Sequence, residues 1–188
     1  MKGEPLAAAR RRSLRSARGR ILEIGIGTGQ NLPHYPQAVT SIAATDPNPG
    51  MERELHKRLA GSAVSVNFQS APAESLPFAD ATFETVVSTQ VLCSVKDPVA
   101  ALREARRVLA PGGRLLFLEH GHSDDPKVAR WQRWLTPLQR LFAAGCRLDV
   151  PVLDMLHRAG FEVVDLHRYY MEGDPKTHGS MYEGIAIV

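Results

Sequence analysis

Apolar residues along the chain fall in short runs separated by amphipathic stretches, and this alternation predicts an open α/β sheet. Strands are expected at Arg20–Ile24, Ser41–Thr45, Val64–Gln69, Phe83–Ser88, Arg114–Glu119, Glu162–Arg168 and Tyr182–Val188. Several are almost continuously apolar, the pattern of strands covered by helices on both faces. Helices are expected around Gly50–Leu59 and Asp97–Leu109; in the second, Val99, Leu102, Arg106 and Leu109 recur at helical spacing. Pro111-Gly112-Gly113 ends that helix and turns the chain into the next strand. The longest interval between strands, Gly121–Gly160, holds Trp131, Trp134, Leu135, Leu138, Leu141 and Phe142, three and four apart on one helical face. Pro137 is expected to kink or break that helix. The stripe reads first as core, and otherwise as part of a ligand pocket. Turn formers in Glu172–Ser180 predict that the last two strands make an antiparallel hairpin.

The chain has 188 residues, 44% apolar and 23% charged, which fits one globular domain and excludes a disordered or fibrous protein. It has no apolar run near the ~20 residues of a membrane span, and the opening residues lack the apolar segment of a secretory signal. Cys93 and Cys146 supply neither a disulfide framework nor a metal-ligand spacing, so no metal site is expected. These features predict a cytoplasmic protein: a single domain over 20–188, preceded by a basic arm or helix over 1–19. The net charge of +3 is unevenly placed. Lys2, Arg10, Arg11, Arg12, Arg15, Arg18 and Arg20 face one acid, Glu4, so residues 1–20 carry +6 and the remainder −3. The arm reads first as a solvated helix or frayed terminus, with Leu6, Leu14 and the alanines touching the domain. The other reading is a weak contact with an anionic surface, lipid or nucleic acid.

The strongest chemical signal is Ile21-Leu22-Glu23-Ile24-Gly25-Ile26-Gly27-Thr28-Gly29. An apolar strand ends in an acid, and three glycines follow at alternate positions. Glycine permits positive φ and removes the β-carbon, so a ligand can lie against the main chain. A strand–turn–helix setting also aims backbone N–H groups at that ligand. A dinucleotide fingerprint needs G-x-G-x-x-G, but Gln30 stands where its third glycine belongs. Glu23, two residues ahead of the first glycine, would repel a pyrophosphate and suits a ligand bearing positive charge. S-adenosylmethionine, with an ammonium and a sulfonium, meets that demand. The plainer alternative is a tight turn that holds nothing. Thr45-Asp46-Pro47-Asn48-Pro49 closes the second strand. An acid about 20 residues beyond the first glycine can accept from both ribose hydroxyls; otherwise Asp46 caps the following helix.

The runs LEIGIGTGQN, ATDPNPGM, APAESLPFADATFETVVS and RVLAPGGRLLFLEH resemble those of the class I S-adenosylmethionine-dependent methyltransferases. The likeness covers nearly the whole chain from Arg20. DPNP, VLCSV, RVLAPGG, the Glu119-His120 pair and Gly145-Cys146 are similar to the thiol S-methyltransferases among them, and small bacterial methyltransferases share much of the pattern. The resemblance implies a Rossmann-like doubly wound sheet of seven strands, mostly parallel with the last antiparallel, and helices on both faces. Glu23 would face the methionine ammonium. Gly25, Gly27 and Gly29 would pass beneath methionine and ribose, with Thr28 and Asn31 near the carboxylate. Asp46 would hold the ribose, Pro47 and Met51 would pack around ribose and adenine, the Ala73 amide would meet the adenine edge, and Gln90 would close the pocket. Pro72 stands where many relatives carry an aspartate for the adenine amino group.

Methyl transfer from a sulfonium needs mainly collinear positioning, so no conspicuous base is required. A thiol acceptor is partly ionised near neutral pH, whereas an amine or hydroxyl first needs a proton removed. His120 is the candidate for that task; His122 forms His-x-His with it, but no nearby acids complete a metal site. Asp124 and Asp125 read as helix caps, His34 and Tyr35 as pocket wall or exposed turn, and Cys93 as a buried small residue. A small-molecule acceptor, a thiol or a lipophilic small molecule first, is the expected substrate. The alternatives are a phospholipid or nucleic-acid methyltransferase and a non-catalytic cofactor-binding scaffold. Ser88-Thr89-Gln90-Val91-Leu92 lacks the Asn-Pro-Pro-Tyr run of many base methylators, so no obligate nucleic-acid partner is expected.

Overall fold

Ile21–Ile24 (β1) is buried along its whole length because it lies mid-sheet with side chains packed on both faces. In this computed structural model, which describes residues 3–142 and 145–188, a helix α1 (Glu4–Leu14) precedes β1. After it come β2 (Ser41–Thr45), α2 (Pro49–Leu59), β3 (Ser65–Gln69), β4 (Phe83–Thr89), α3 (Pro98–Val108) and β5 (Leu109–His120). The chain ends with α4 (Pro126–Phe142), α5 (Val152–Arg158), β6 (Glu162–Tyr170), α6 (Lys176–Gly179) and β7 (Ser180–Ile187). The strand order is β3-β2-β1-β4-β5-β7-β6, with β1 to β5 parallel and β7 antiparallel to both β5 and β6. This is the expected seven-stranded, doubly wound sheet. The order reverses between β1 and β4, and the crevice at such a switch point is where open α/β sheets bind ligands.

Neighbouring residues divide between the two faces as strand geometry requires. Leu22, Val86 and Leu115 join the core beneath α3 and α5, while Ile21, Val87 and Leu116 join the opposite core with Leu14, Leu32 and Leu55. Asn48 caps α2 by accepting from the Gly50 amide, and Asp97 caps α3 by accepting from Ala100. β5 starts earlier than expected. α3 ends at Val108, and Leu109 already pairs with Phe83. Pro111-Gly112-Gly113 therefore sits within the strand, where a register shift in the pairing and Gly112 at φ +75° absorb it.

Two regions bear on the remaining expectations. The basic arm is a helix that touches the domain through Leu6, Leu14 and the alanines, as expected: α1 lies on the sheet, with Leu6, Ala9 and Leu14 buried and Leu6 and Ala9 packed with Leu118, Met171 and Met181, while Arg11, Arg12 and Arg15 stay exposed. Arg12 bonds Glu183 at 2.6 Å and also reaches the Tyr169 hydroxyl. Lys2 lies outside the described residues. The correction concerns α4. Trp131, Trp134, Leu138, Leu141 and Phe142 are exposed, between 56% and 77%, and are not core. The buried side of α4 is Ala129, Gln132 and Thr136. Gln132 pins it by donating to the Gly121 and Thr177 carbonyls and accepting from the Ser123 amide. Helical spacing assigns the apolar residues to one face, but here hydrogen bonds turn the polar face inward. Pro137 does not break α4; Pro137 and Arg133 are both exposed, so the Arg133 carbonyl deprived of its donor lies on the solvent side. Asp125 opens α4, its carboxylate accepting from Lys127, while Asp124 pairs with Arg168. No described helix is long and apolar enough to cross a membrane.

Candidate active site

The glycine turn leaves the carboxyl end of β1, and its geometry separates the three glycines by task. All three have positive φ: 61° at Gly25, 56° at Gly27 and 75° at Gly29. A β-carbon on Gly25 would stand 2.6 Å from Val91 Cγ2, and one on Gly29 would stand 2.8 Å from Leu55 Cδ1. These two are needed for packing as well as for backbone conformation. A β-carbon on Gly27 would meet nothing nearer than the Gly25 carbonyl at 4.0 Å. The space over Gly27 is open, as a cradle for a ligand lying on the main chain requires.

Asp46, at the carboxyl end of β2, holds the turn in place. One carboxylate oxygen accepts from the Gly27 amide at 2.9 Å, and the other accepts from Asn48 at 2.9 Å. The cap of α2 is Asn48, so the capping alternative for Asp46 is corrected. A carboxylate has about four lone-pair sites, which leaves acceptor capacity for hydroxyls.

Glu23 is 2% exposed and tied on both oxygens. Asn31 donates to one at 3.0 Å and the Tyr35 hydroxyl to the other at 2.7 Å. Burial drives its pKa up to about 7, against the opposing effect of the Tyr35 and Asn31 hydrogen bonds and the Arg10 charge. Burial and the same carboxylate hold the Tyr35 phenol well above its ordinary range. Tyr35 is thus an interior partner of the acid rather than exposed turn, and His34 is partly exposed. Asn31 is the hub: its amide also donates to Thr89, and its carbonyl accepts from Arg10 at 2.5 Å.

Arg10 is the charged side chain of this cluster that the sequence did not single out. From α1 it reaches over the ends of β1 and β4, donating to Asn31 and, at 3.5 Å, to Gln90. Burial lowers its pKa, while Glu23 and Glu119 favour its charge. The signal was present: Leu6, Arg10 and Leu14 are four apart, so Arg10 shares the face that buries the two leucines. A cation and an acid, linked through one asparagine, match the carboxylate and ammonium of an amino acid.

The remaining positions frame this center. Thr28 accepts from Arg58 through its carbonyl at 2.9 Å. Pro47 and Met51 are exposed beside Asp46, Ala73 is buried, and Gln90 follows β4 at φ 57° with its amide bonded to Leu118. Glu119, fully buried, ties the chain after β4 by accepting from Ser88 at 2.7 Å, Val91 at 3.1 Å and Leu92 at 3.2 Å. Burial pushes its pKa up. His120 is 4% exposed, its Nε2 2.9 Å from the Arg147 carbonyl and 3.3 Å from Cys146 Sγ. His122 is half-buried; its amide bonds Val150 and its carbonyl accepts from Tyr182.

The methyltransferase domain family matches residues 22–117. Thiol S-methyltransferase TMT1B of Rattus norvegicus is 37% identical over 150 residues, 78% of this chain and 61% of its own. Thiol S-methyltransferase TMT1A of Homo sapiens is also 37% identical, with the same coverage of both chains. The chain therefore spans about 61% of the length of these curated relatives. A SAM-dependent methyltransferase of Methanosarcina mazei superposes with a TM-score of 0.73 at 20% identity, covering 99% of this chain and 98% of that one.

Proposed function

Because the chain belongs to the class I S-adenosylmethionine-dependent methyltransferases, we propose that its acceptor is a small thiol. The observation that carries this reading is the 37% identity to thiol S-methyltransferases over 78% of the chain. The residues fit the cofactor: the space over Gly27 is open, and Glu23 and Arg10 offer opposite charges at one end of it. When bound, S-adenosylmethionine supplies a sulfonium methyl whose leaving group needs no activation.

The chain's own groups then position the reactants. Glu23 receives the ammonium and Arg10 the carboxylate, with Asn31 fixing both side chains. Asp46 holds the ribose with the acceptor capacity left after its bonds to Gly27 and Asn48. Pro47 and Met51 border the nucleoside, and Glu119 fixes the turn bearing Val91 and Leu92, of which Val91 packs against Gly25. Orientation of this kind supplies much of the rate of a bimolecular displacement. A thiol suits a site whose candidate base, His120, already has Nε2 engaged by a backbone carbonyl. Labelled methyl transfer to small thiols, amines, alcohols and RNA tests the reading. Transfer to thiols, rising with pH as the thiolate fraction rises, is the expected result; transfer confined to the other classes contradicts it.

The exposed face of α4 favours a second reading, an acceptor taken from an anionic lipid surface. The helix carries Lys127, Arg130, Arg133 and Arg140, no acid, and five exposed large apolar side chains. Cationic helices with such a face lie in the bilayer interface. Trp131→Ala with Trp134→Ala is expected to weaken binding to phosphatidylserine-containing vesicles several-fold, measured by co-sedimentation. A wild-type chain that leaves such vesicles unbound at low salt eliminates this reading.

A further inference from the structure

Cys93 and Cys146 are distant in sequence, yet the fold brings them together at His120. Cys93 follows the turn after β4, His120 ends β5 beside β4, and the Arg147 amide bonds the Cys93 carbonyl at 3.0 Å, which places Cys146 against both. One ligand atom from each of the three lies within 4.8 Å of the other two, and His120 Nε2 to Cys146 Sγ is 3.3 Å. In a tetrahedral zinc site, bonds of ~2.3 Å to sulfur and ~2.0 Å to nitrogen set ligand atoms about 3.5–3.8 Å apart. The cluster is within about an ångström of that arrangement.

The tautomer of His120 decides which nitrogen is free to act as a ligand. Its Nδ1 is buried without a partner. If Nε2 carries the proton it donates to the Arg147 carbonyl, and the Nδ1 lone pair is unmatched. If Nδ1 carries the proton, a buried donor is unmatched instead. Ligation through Nε2, the nitrogen beside Cys146, replaces its bond to the Arg147 carbonyl and fixes the proton on Nδ1, so the metal assignment stands on the placement of the three donors and not on the unmatched Nδ1. Two sulfurs and an imidazole form a soft donor set that selects zinc over the hard cations.

We infer that Cys93, His120 and Cys146 bind a soft divalent cation, Zn2+, and leave a fourth position for the sulfur of the methyl acceptor. Three protein ligands with an open position mark a catalytic rather than a structural zinc site, and no fourth His, Cys, Asp or Glu joins the cluster among the described residues. The fourth-position assignment rests on the thiol reading above; the metal assignment does not. An acceptor thiol loses its proton to solvent on coordination. Its sulfur then forms a bond to the methyl carbon as the bond from that carbon to the sulfonium breaks. The electron pair of the broken bond stays on the departing thioether, so charge and atoms balance.

Zinc titration of reduced, chelator-stripped protein against a chromophoric chelator tests the site. One equivalent per chain is expected, with affinity more than ~10-fold weaker in Cys93→Ser, Cys146→Ser and His120→Ala. Cobalt loading should give a thiolate charge-transfer band that each Cys→Ser change diminishes and that a small thiol perturbs. Should Cys93→Ser fail to fold, Cys146→Ser, at a half-buried position, carries the test, with thermal unfolding as the check on structure. Failure of the wild type to take up stoichiometric zinc, wild-type affinity in the Ser variants, or a Cys93–Cys146 disulfide as the only state of the pair overturns the site. Zinc uptake with a cobalt spectrum indifferent to thiols overturns only the fourth-position assignment, and thiol methylation by metal-free protein at the full rate does the same while sparing the thiol reading.

Discussion

Gly27→Asn is expected to lower S-adenosylmethionine affinity by at least ~100-fold, about 2.7 kcal/mol, while leaving the thermal midpoint nearly unchanged. Asparagine tolerates positive φ better than other side chains, so the 56° backbone adds little strain. No protein atom crowds its β-carbon, the nearest being the Gly25 carbonyl at 4.0 Å. The added side chain therefore fills only the space reserved for ligand. Gly29→Ala should behave in the opposite way. Its β-carbon would stand 2.8 Å from Leu55 Cδ1 and 2.9 Å from Leu32 Cδ1, so stability falls by roughly 1–3 kcal/mol from overpacking. Calorimetry for binding and denaturant unfolding for stability separate the two glycines. Equal effects of both changes on both measurements would contradict the division of labour.

The second large effect is a pH dependence carried by Glu23. In the free protein its pKa is about 7, because burial outweighs its hydrogen bonds and the charge of Arg10. An ammonium beside it favours the carboxylate, so binding requires the ionised form. Above pH 7 that form is already present. Below it, each bound cofactor must first displace a proton, and affinity falls by up to tenfold per pH unit. Affinity at pH 6 should be about tenfold weaker than at pH 8. Glu23→Gln is expected to bind weakly and with a flat profile over this range. Calorimetry in buffers of different ionisation enthalpy provides the check, since proton release should appear in the wild type and vanish in the variant. A wild-type profile as flat as that of Glu23→Gln would remove Glu23 from the ammonium.

The sheet was legible because strand periodicity and turn chemistry are local. β2 was placed to the residue, and the Gly25–Gly29 turn announced its conformation through composition alone. Three features depended on packing instead. The i, i+3, i+4 spacing of Trp131, Trp134, Leu138 and Leu141 is the same whether the stripe meets core or solvent, and only the bonds of Gln132 show which face turns inward. Arg10 looked like one member of a charged run; its reach to Asn31 exists because α1 docks through Leu6, Ala9 and Leu14. Cys93, His120 and Cys146 have no linear spacing to detect, since β4 lying beside β5 and the return of the loop before α5 create their proximity. Pro111-Gly112-Gly113 shows the reverse case, a turn signal that the sheet absorbed as an irregularity within β5.

The amino-acid end of the cofactor decides the account, because Glu23, Asn31 and Arg10 are the only charged and hydrogen-bonded constellation invoked for it. A crystal structure with S-adenosylhomocysteine tests this directly. It should show the carboxylate at the Arg10 guanidinium, the ammonium on the Glu23 side of the Gly25–Gly29 turn, and the ribose hydroxyls at Asp46. A nucleoside bound in the reverse direction, with adenine toward Arg10, or bound away from the carboxyl ends of β1 and β2, would contradict it.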